Sequence, residues 1–386
     1  MKALIVCFSD LAKDPRVSRQ IKWLTDLGFS VTTLAEGPAS EQVERHFCAK
    51  APNVERTALH RLRRKVKSGS KLLLGKFDEF YWTRPAIQHC EELFYTSLTD
   101  AFDLIVANDF NTAPLVLRYR RGAKVLLDAH EYSPEEFSDV WKWRLFFQKY
   151  SCDLCRQTLP HVDAVMTVNE GIAKRYAEVF NIPVPFVLTN ATSYYDLKPC
   201  DVAEDRIRLI HHGVAAKSRN LDTMFRLFDT LDDRFELDVI MVPGDRSYIA
   251  KMERVAKKWP KIRCLPPFPM KEIVPSTNKY DMGVFLLPPV NFNYFYGLPN
   301  KLFEFLQARL AIAVGPSPEM ARVVRHYECG VVSPDFKPKS LATQLNSLTR
   351  DDILAMKQRS HRAAKELNAE ANGLIFKQAV NKALNS

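Results

Sequence analysis

The stretch YDMGVFLLPPVNFNYFYGLPNKLFEFLQARLAIAV, residues 280–314, decides the fold. Its apolar run at 282–287 is short and does not alternate with polar residues, which marks a strand covered on both faces. Pro288-Pro289 ends the run, and an aromatic loop follows. Gly297-Leu298-Pro299 then opens helical spacing over 299–308, with the proline suited to a first helical position. A second apolar run, 310–314, completes a strand–helix–strand unit of a parallel sheet.

The same alternation extends in both directions. Upstream, strands are expected at 2–8, 29–34, 103–108, 123–129, 164–168 and 184–189, with helical spacing over 14–27, 111–120, 134–159 and 170–180. The alternation pauses at 191–206, a polar stretch with a proline, which reads as a linker. It restarts with strands at 207–212, 236–242 and 261–265, and with helices near 219–231 and 246–258. The segment 353–384 reads as one or two helices with no strand after them. The fold class is therefore α/β: two doubly wound parallel-sheet domains, 1–190 and 207–367, joined by 191–206 and facing a central cleft.

Composition narrows the chemistry. With 46% hydrophobic and 26% charged residues the chain is an ordinary globular one. No apolar run approaches the roughly 18–20 residues of a membrane helix, and MKALIVCFSD reads as a first strand rather than a signal peptide. Eight scattered cysteines form no disulfide framework, and the one CxxC, Cys152 and Cys155, reads as two turns of one helix; the expected compartment is the cytoplasm. The 13 glycines never come closer than six residues apart, so no dinucleotide fingerprint, P-loop or nucleophile elbow exists. No Asp-x-Asp occurs and His130-Glu131 lacks a second histidine, so no metal or cofactor is expected. A net charge of +10 favours anionic partners.

In open α/β sheets ligands bind beyond the carboxyl ends of the strands. Four segments lie there. In 288–307, Pro299, Asn300 and Lys301 occupy a helix start, where unpaired N–H groups favour an anion, and Glu304 lies one turn further in, placed for ribose hydroxyls. In 211–222 (HHGVAAKSRNLD) a strand ends at Gly213, and Lys217 and Arg219 enter a helix start, an arrangement that suits a pyrophosphate. In 125–136 (VLLDAHEYSPEE) a buried strand delivers His130 and Glu131. In 9–16 (SDLAKDPR) Asp14-Pro15 caps a helix and Arg16 follows.

The pieces DPRVSRQIKWLTDLGFSV, LLDAHEYSPEEF, DAVMTVNEGIAKRY, HHGVAAKSRNLDTM and the stretch quoted first resemble, in order from about residue 1 to about 345, the retaining glycosyltransferases of family 4 with the GT-B architecture. The resemblance implies two Rossmann-like domains. The N-terminal one takes a glycan or lipid-linked acceptor and the C-terminal one a nucleoside diphosphate sugar, UDP- or GDP-linked; a helix at about 368–386 crosses back to the first domain. It matches Glu304 to the second glutamate of the family's E-x7-E motif, Arg219 to its phosphate-binding lysine and His130 to a histidine near the transferred sugar. Tyr296 stands where the first glutamate is expected, Gly213-Val214 where an arginine is expected, and SDLAKDPR replaces a glycine pair.

The expected catalytic residues are then His130, Arg219 and Lys301. Gly213, Lys217, Arg219, Tyr296, Gly297, Leu298, Pro299, Asn300, Lys301 and Glu304 are expected on the donor side. Asp14, Arg16, Asp109 and Glu131 are expected on the acceptor side. The implied activity is metal-independent glycosyl transfer with retention, in polysaccharide or glycolipid synthesis. Two alternatives are a nucleotide-sugar epimerase on the same fold and a non-enzymatic basic nucleic-acid binder. Residues 54–84 hold nine Lys/Arg (56, 61, 63, 64, 65, 67, 71, 76, 84) against three acids (55, 78, 79) beside leucines and aromatics. With the aromatic segment 137–150 they suit an anionic membrane surface at the inner face better than nucleic acid.

Overall fold

The structure, a computed structural model, describes residues 1–52, 58–242 and 244–386, and of 58–62 the backbone alone. Arg56 and Glu55, and the Arg61 side chain, thus lie outside the described residues. The chain forms two compact units: Met1–Leu188 with Gly373–Ser386, and Thr189–Asn372.

The first unit is built on a seven-stranded sheet of β1 (Lys2–Asp10), β2 (Ser30–Glu36), β3 (Arg45–Cys48), β4 (Leu104–Asn108), β5 (Lys124–Ala129), β6 (Ala164–Thr167) and β7 (Phe186–Val187), in the order β3-β2-β1-β4-β5-β6-β7. The second carries six strands, β8 (Ile207–Val214), β9 (Phe235–Val242), β10 (Ile262–Leu265), β11 (Met282–Phe285), β12 (Ala311–Val314) and β13 (Gly330–Val332), in the order β10-β9-β8-β11-β12-β13. Every pairing is parallel. All residues of β4, β11 and β12 are buried, because parallel strands are covered by helices on both faces. These are the two doubly wound α/β domains expected. In each sheet the strand order reverses once, between β1 and β4 and between β8 and β11. The helices leave on opposite sides of that point and open a crevice.

Helix Asn300–Gln307 packs close over β11. Gly283 makes the approach possible, since a Cβ there would run into the Phe305 ring. Phe303 and Phe305 are fully buried.

Several expected elements differ. Edge strands β3 and β13 have no counterpart among the expected strands; they are four and three residues long, partly exposed and paired on one side. The expected helix 219–231 is broken, because Asn220 takes a left-handed conformation (φ 47°) that ends the turn Lys217–Arg219 before Asp222–Phe225 begins. The expected helix 134–159 is a turn at Ser133–Glu135, a short helix Trp141–Trp143, a wider π-type turn at Arg144–Gln148 and helix Lys149–Thr158. Residues 191–206 have no regular structure but are packed into the second unit: Ala191 and Val202 are buried, and the Tyr195 amide donates to Gln307 Oε1 at 3.0 Å. The chain ends in helices Arg350–Ala363 and Ala369–Leu384. From Gly373 onward the last helix belongs to the first unit, where Phe376 lies 5.3 Å from Trp23 and Lys124 Nζ donates to the Ser386 carbonyl.

Gly283→Ala should cost about 1–3 kcal/mol through overpacking. The expected readout is a lower urea midpoint with an unchanged denaturant slope. An unaltered midpoint would mean that the helix does not depend on this approach.

Candidate functional site

In the second unit β8 and β11 are in register at Leu209–Met282 and Ile210–Gly283 only, whereas β8 follows β9 as far as Val214–Val242. Beyond Ile210 the two central strands part, and His211 bridges the gap: its Nδ1 donates to the Val284 carbonyl at 2.9 Å, which fixes its tautomer. His212 follows, buried, with its ring edge-on to Phe305 and Nδ1 3.6 Å from Glu304 Oε2. Burial, then the neighbouring Lys301, push its pKa down to about 3, so it is neutral. Its Nε2 has no hydrogen-bond partner among the described residues.

Gly213 comes next, at φ +139°. A Cβ there would stand 2.9 Å from Lys301 Nζ and 3.6 Å from an Arg219 guanidinium nitrogen. Lys301 is buried, with Nζ 3.8 Å above the Phe285 ring, yet Nζ has no hydrogen-bond partner among the described residues. Burial lowers its pKa well below the usual lysine value; Arg219 adds to this and Glu304 opposes it. Arg219 donates to the Val214 carbonyl at 3.3 Å.

Pro299 is the N-cap of helix Asn300–Gln307 rather than its first helical residue, so the expected register moves by one: Asn300 and Lys301 are the first two helical positions. Among the described residues no side chain caps this helix, which leaves its first N–H groups without that partner. The loop before it is held by the short helix Phe292–Phe295, where Asn291 Oδ1 accepts from the Tyr294 amide, and by the bond between Tyr294 Oη and Ser218 Oγ at 2.9 Å. Tyr296 packs on Phe292 at 4.7 Å, Gly297 lies against the carbonyls of Asn293 and Tyr294, and Leu298 is buried.

The structure thus brings Gly213, Arg219, Lys301 and Glu304 together and adds His212. Lys217 takes another direction, pairing with Asp245 at 3.3 Å and lining a separate concavity of about 620 Å³ with Asn220, Tyr248 and Lys251. The two histidines were legible as polar residues at a strand end directly before a glycine.

The first unit assembles a different site at the ends of β4 and β5. The Arg16 guanidinium, expected to face a ligand, is buried instead. It grips both Asp128 oxygens at 2.7 Å and donates to the Leu188 carbonyl at 2.7 Å. Gln20, wholly buried, ties Asp128 to Asn108, and Asn108 Oδ1 lies 3.1 Å from His130 Nε2. Asp109 is held left-handed at φ 63°; its carboxylate accepts from the His130 amide at 3.2 Å and lies 3.5 Å from Nδ1. Aspartate tolerates this region better than most side chains. Burial alone would lower the His130 pKa, but Asp109 and then Asp128 outweigh it and raise it to about 9. Burial likewise pushes Asp128 up, and Arg16 and His130 together overcome it, so Asp128 stays ionised well below the usual carboxylate range. Asp14 acts locally, capping helix Pro15–Asp26 and accepting from Ser9 Oγ at 2.6 Å. Glu131 is exposed, and its carbonyl accepts from Tyr176. Gln20, Asn108 and Asp128 were missed; for Asn108 and Asp128 the signal available was a polar residue at or next to the end of an apolar strand, whereas Gln20, within helix Pro15–Asp26, gave none.

No family model matches the chain, and no curated protein matches it in sequence. Solved structures match it in fold over almost its whole length. Sucrose-phosphate synthase from Thermosynechococcus elongatus superposes with a TM-score of 0.75 at 11% identity, over 99% of this chain and 98% of that one. TarM does so at 0.71 and 10% identity, over 100% and 99%. HepE of Anabaena, in complex with UDP and glucose, gives 0.67 at 12% identity, over 99% of each chain. At these identities the likeness establishes the fold, the GT-B type expected.

The His130 ring should titrate with a midpoint near 9 in a proton NMR titration, and Asp109→Asn should bring it down toward the ordinary histidine range. Because the folded value is raised, the stabilisation is fully present below about pH 6.5. It is lost as pH rises through about 9. A midpoint unmoved in Asp109→Asn would show that the carboxylate does not act on the ring.

Proposed function

We propose that the chain is a glycosyltransferase that takes a sugar from a nucleoside diphosphate and passes it, with retention at the anomeric carbon, to a glycan or lipid-linked acceptor. Its place would be polysaccharide or glycolipid synthesis. The observation that carries this reading is the buried Lys301 amine, without a hydrogen-bond partner among the described residues, at an uncapped helix start beside Arg219 and the open Gly213. A buried amine of that kind is costly unless an anion completes it. A nucleoside diphosphate does so: its phosphates meet the N–H groups of Asn300 and Lys301 and the two cations, and Glu304 receives the ribose hydroxyls. The bound uridine nucleotide in the similar HepE structure supports a UDP-linked donor.

The chemistry follows from charge. As the bond from the anomeric carbon to the phosphate oxygen breaks, negative charge grows on the diphosphate, where Arg219, Lys301 and the helix start are already oriented; this is electrostatic catalysis and calls for no metal. The acceptor oxygen bonds to the anomeric carbon from the same face, and its proton passes to the departing phosphate oxygen. No protein base is assigned, and His130 fits that: charged at neutral pH, it can donate hydrogen bonds but cannot take up a proton. Neutral His212 can offer its Nε2 to the donor.

A thermal-shift and calorimetry panel of UDP, UDP-sugars and GDP-sugars tests the reading. Glu304→Gln should weaken nucleotide binding by about 1.5–3 kcal/mol, the worth of a charge-assisted hydrogen bond. Arg219→Ala should weaken UDP but not uridine. The Lys301 value is depressed in the free protein and an anion raises it, so above the free value UDP binding should take up a proton and weaken as pH rises. Lys301→Met should abolish that uptake, measured by calorimetry in buffers of different ionisation enthalpy. No nucleotide binding by any member of the panel would overturn the proposal, as would activity that chelators remove and Mg²⁺ restores in the case of the metal-free mechanism.

A further inference from the structure

Two segments of the first unit leave large apolar side chains in water. Helix Ala58–Leu73 and the residue after it expose Val66, Leu73 and Leu74, the last at 72%. The stretch 137–147 exposes Trp141 at 61%, together with Leu145 and Phe147; its short helix and π-type turn bury none of their residues. The segments form one surface. A Cβ on Gly69 would stand 3.6 Å from the Phe146 ring, and Phe80, in the helix that follows the basic run, lies 6.3 Å from Phe147 and 5.0 Å from Tyr150. Side chains that contribute nothing to the core, gathered in one place, mark a contact surface.

Cations surround the apolar crest: Arg63, Arg64, Lys65 and Lys67 on the helix, Lys142 and Arg144 on the crest itself, all exposed. The two segments 63–74 and 137–147 hold one carboxylate, the exposed Asp139, against these six cations; of the carboxylates beside them, Glu79 is engaged by Lys76 and Lys71, and Asp78 accepts from Trp82 Nε1. A second copy of the chain on this face would bring these cations against themselves. A flat, negatively charged and deformable partner satisfies both features: its headgroups meet the cations while tryptophan and leucine enter the interface.

We infer that residues 63–74 and 137–147 form a docking surface for an anionic lipid bilayer. The segment 137–147 follows the end of β5 that carries His130, so docking would bring the acceptor-side residues to lipid-linked substrate. The inference rests on the transfer reading for that use only, since attachment itself involves no substrate.

The test is sedimentation of the full chain with vesicles of phosphatidylcholine containing phosphatidylglycerol, against pure phosphatidylcholine. Binding is expected to the anionic vesicles alone and to fall as salt rises. The combined variant Arg63→Gln, Arg64→Gln, Lys65→Gln, Lys67→Gln should bind on the order of tenfold more weakly or worse. Trp141→Ser with Leu145→Ser should lose the part of binding that survives high salt. Both should keep the parent's thermal midpoint and its UDP shift. No sedimentation of the parent at low salt, or binding undiminished in both variants, overturns the inference. So does a parent dimer that the variants dissolve in the absence of vesicle binding. Vesicle binding without nucleotide binding would instead overturn the transfer reading and leave the surface standing.

Discussion

Strands β8 and β11 share two registered pairs and then part, and the second unit's site follows from that separation. The chain winds from β8 outward to β10 and returns to the other side of β8 with β11, so the two central strands have no common helix to clamp them beyond their midpoint. A hydrogen bond from the His211 ring to the β11 backbone replaces the missing ladder. It thereby sets where Gly213 emerges and how close Lys301 can lie to it. A side chain at 213 would close this space, and the left-handed φ of +139° is one that only glycine adopts at low cost.

Each unit buries a cation near its reversal point, and the two are treated oppositely. Arg16 meets a carboxylate with two parallel bonds and a carbonyl with a third, which is the geometry that makes a buried pair tolerable. Removing either partner would strand a buried charge, so the pair belongs to the frame that holds His130 and Asp109 in place. Lys301 has an aromatic face and a carboxylate within electrostatic reach but no hydrogen-bond acceptor among the described residues. The space beside the amine is the one that Gly213 leaves open, where an added Cβ would stand 2.9 Å from Nζ. A ligand that supplies the acceptors recovers the difference as affinity.

How much of this was legible in the sequence depended on whether a signal was local. Eleven of the strands were visible as apolar runs, and the stretch 280–314 showed its strand, loop and helix almost residue by residue. The edge strands β3 and β13 were not: Arg45-His46-Phe47-Cys48 has no continuous apolar run, and Gly330-Val331-Val332 is only three residues long. The break at Asn220 was hidden because asparagine is an ordinary surface residue until its backbone turns left-handed. For the site, helix-start residues could be read from motif position. The Arg16–Asp128 pair could not, because 112 residues separate two groups that only sheet order β1-β4-β5 brings together. His130 was located by its strand end, but its charge depends on Asp109 and Asp128, whose distances no sequence pattern states.

On the proposed donor side, the two departures from the pattern that the resemblance implies have a common electrostatic sense. Gly213-Val214 removes a cation where an arginine is expected, and Tyr296 removes a carboxylate eight residues before Glu304. The segments that carry them touch, through Ser218 and Tyr294 at 2.9 Å. Relative to that pattern one charge of each sign is absent, which keeps the local balance; in the proposed site Arg219 and Lys301 would meet a diphosphate without a second carboxylate competing for them. The exchange is not neutral for the sugar. A carboxylate holds hydroxyls as a charged acceptor, whereas a phenol beside Phe292 and Phe295 offers one hydroxyl and an aromatic face. On the proposed reading, phosphate binding survives this pair of differences while sugar selection moves toward groups that pack on a ring.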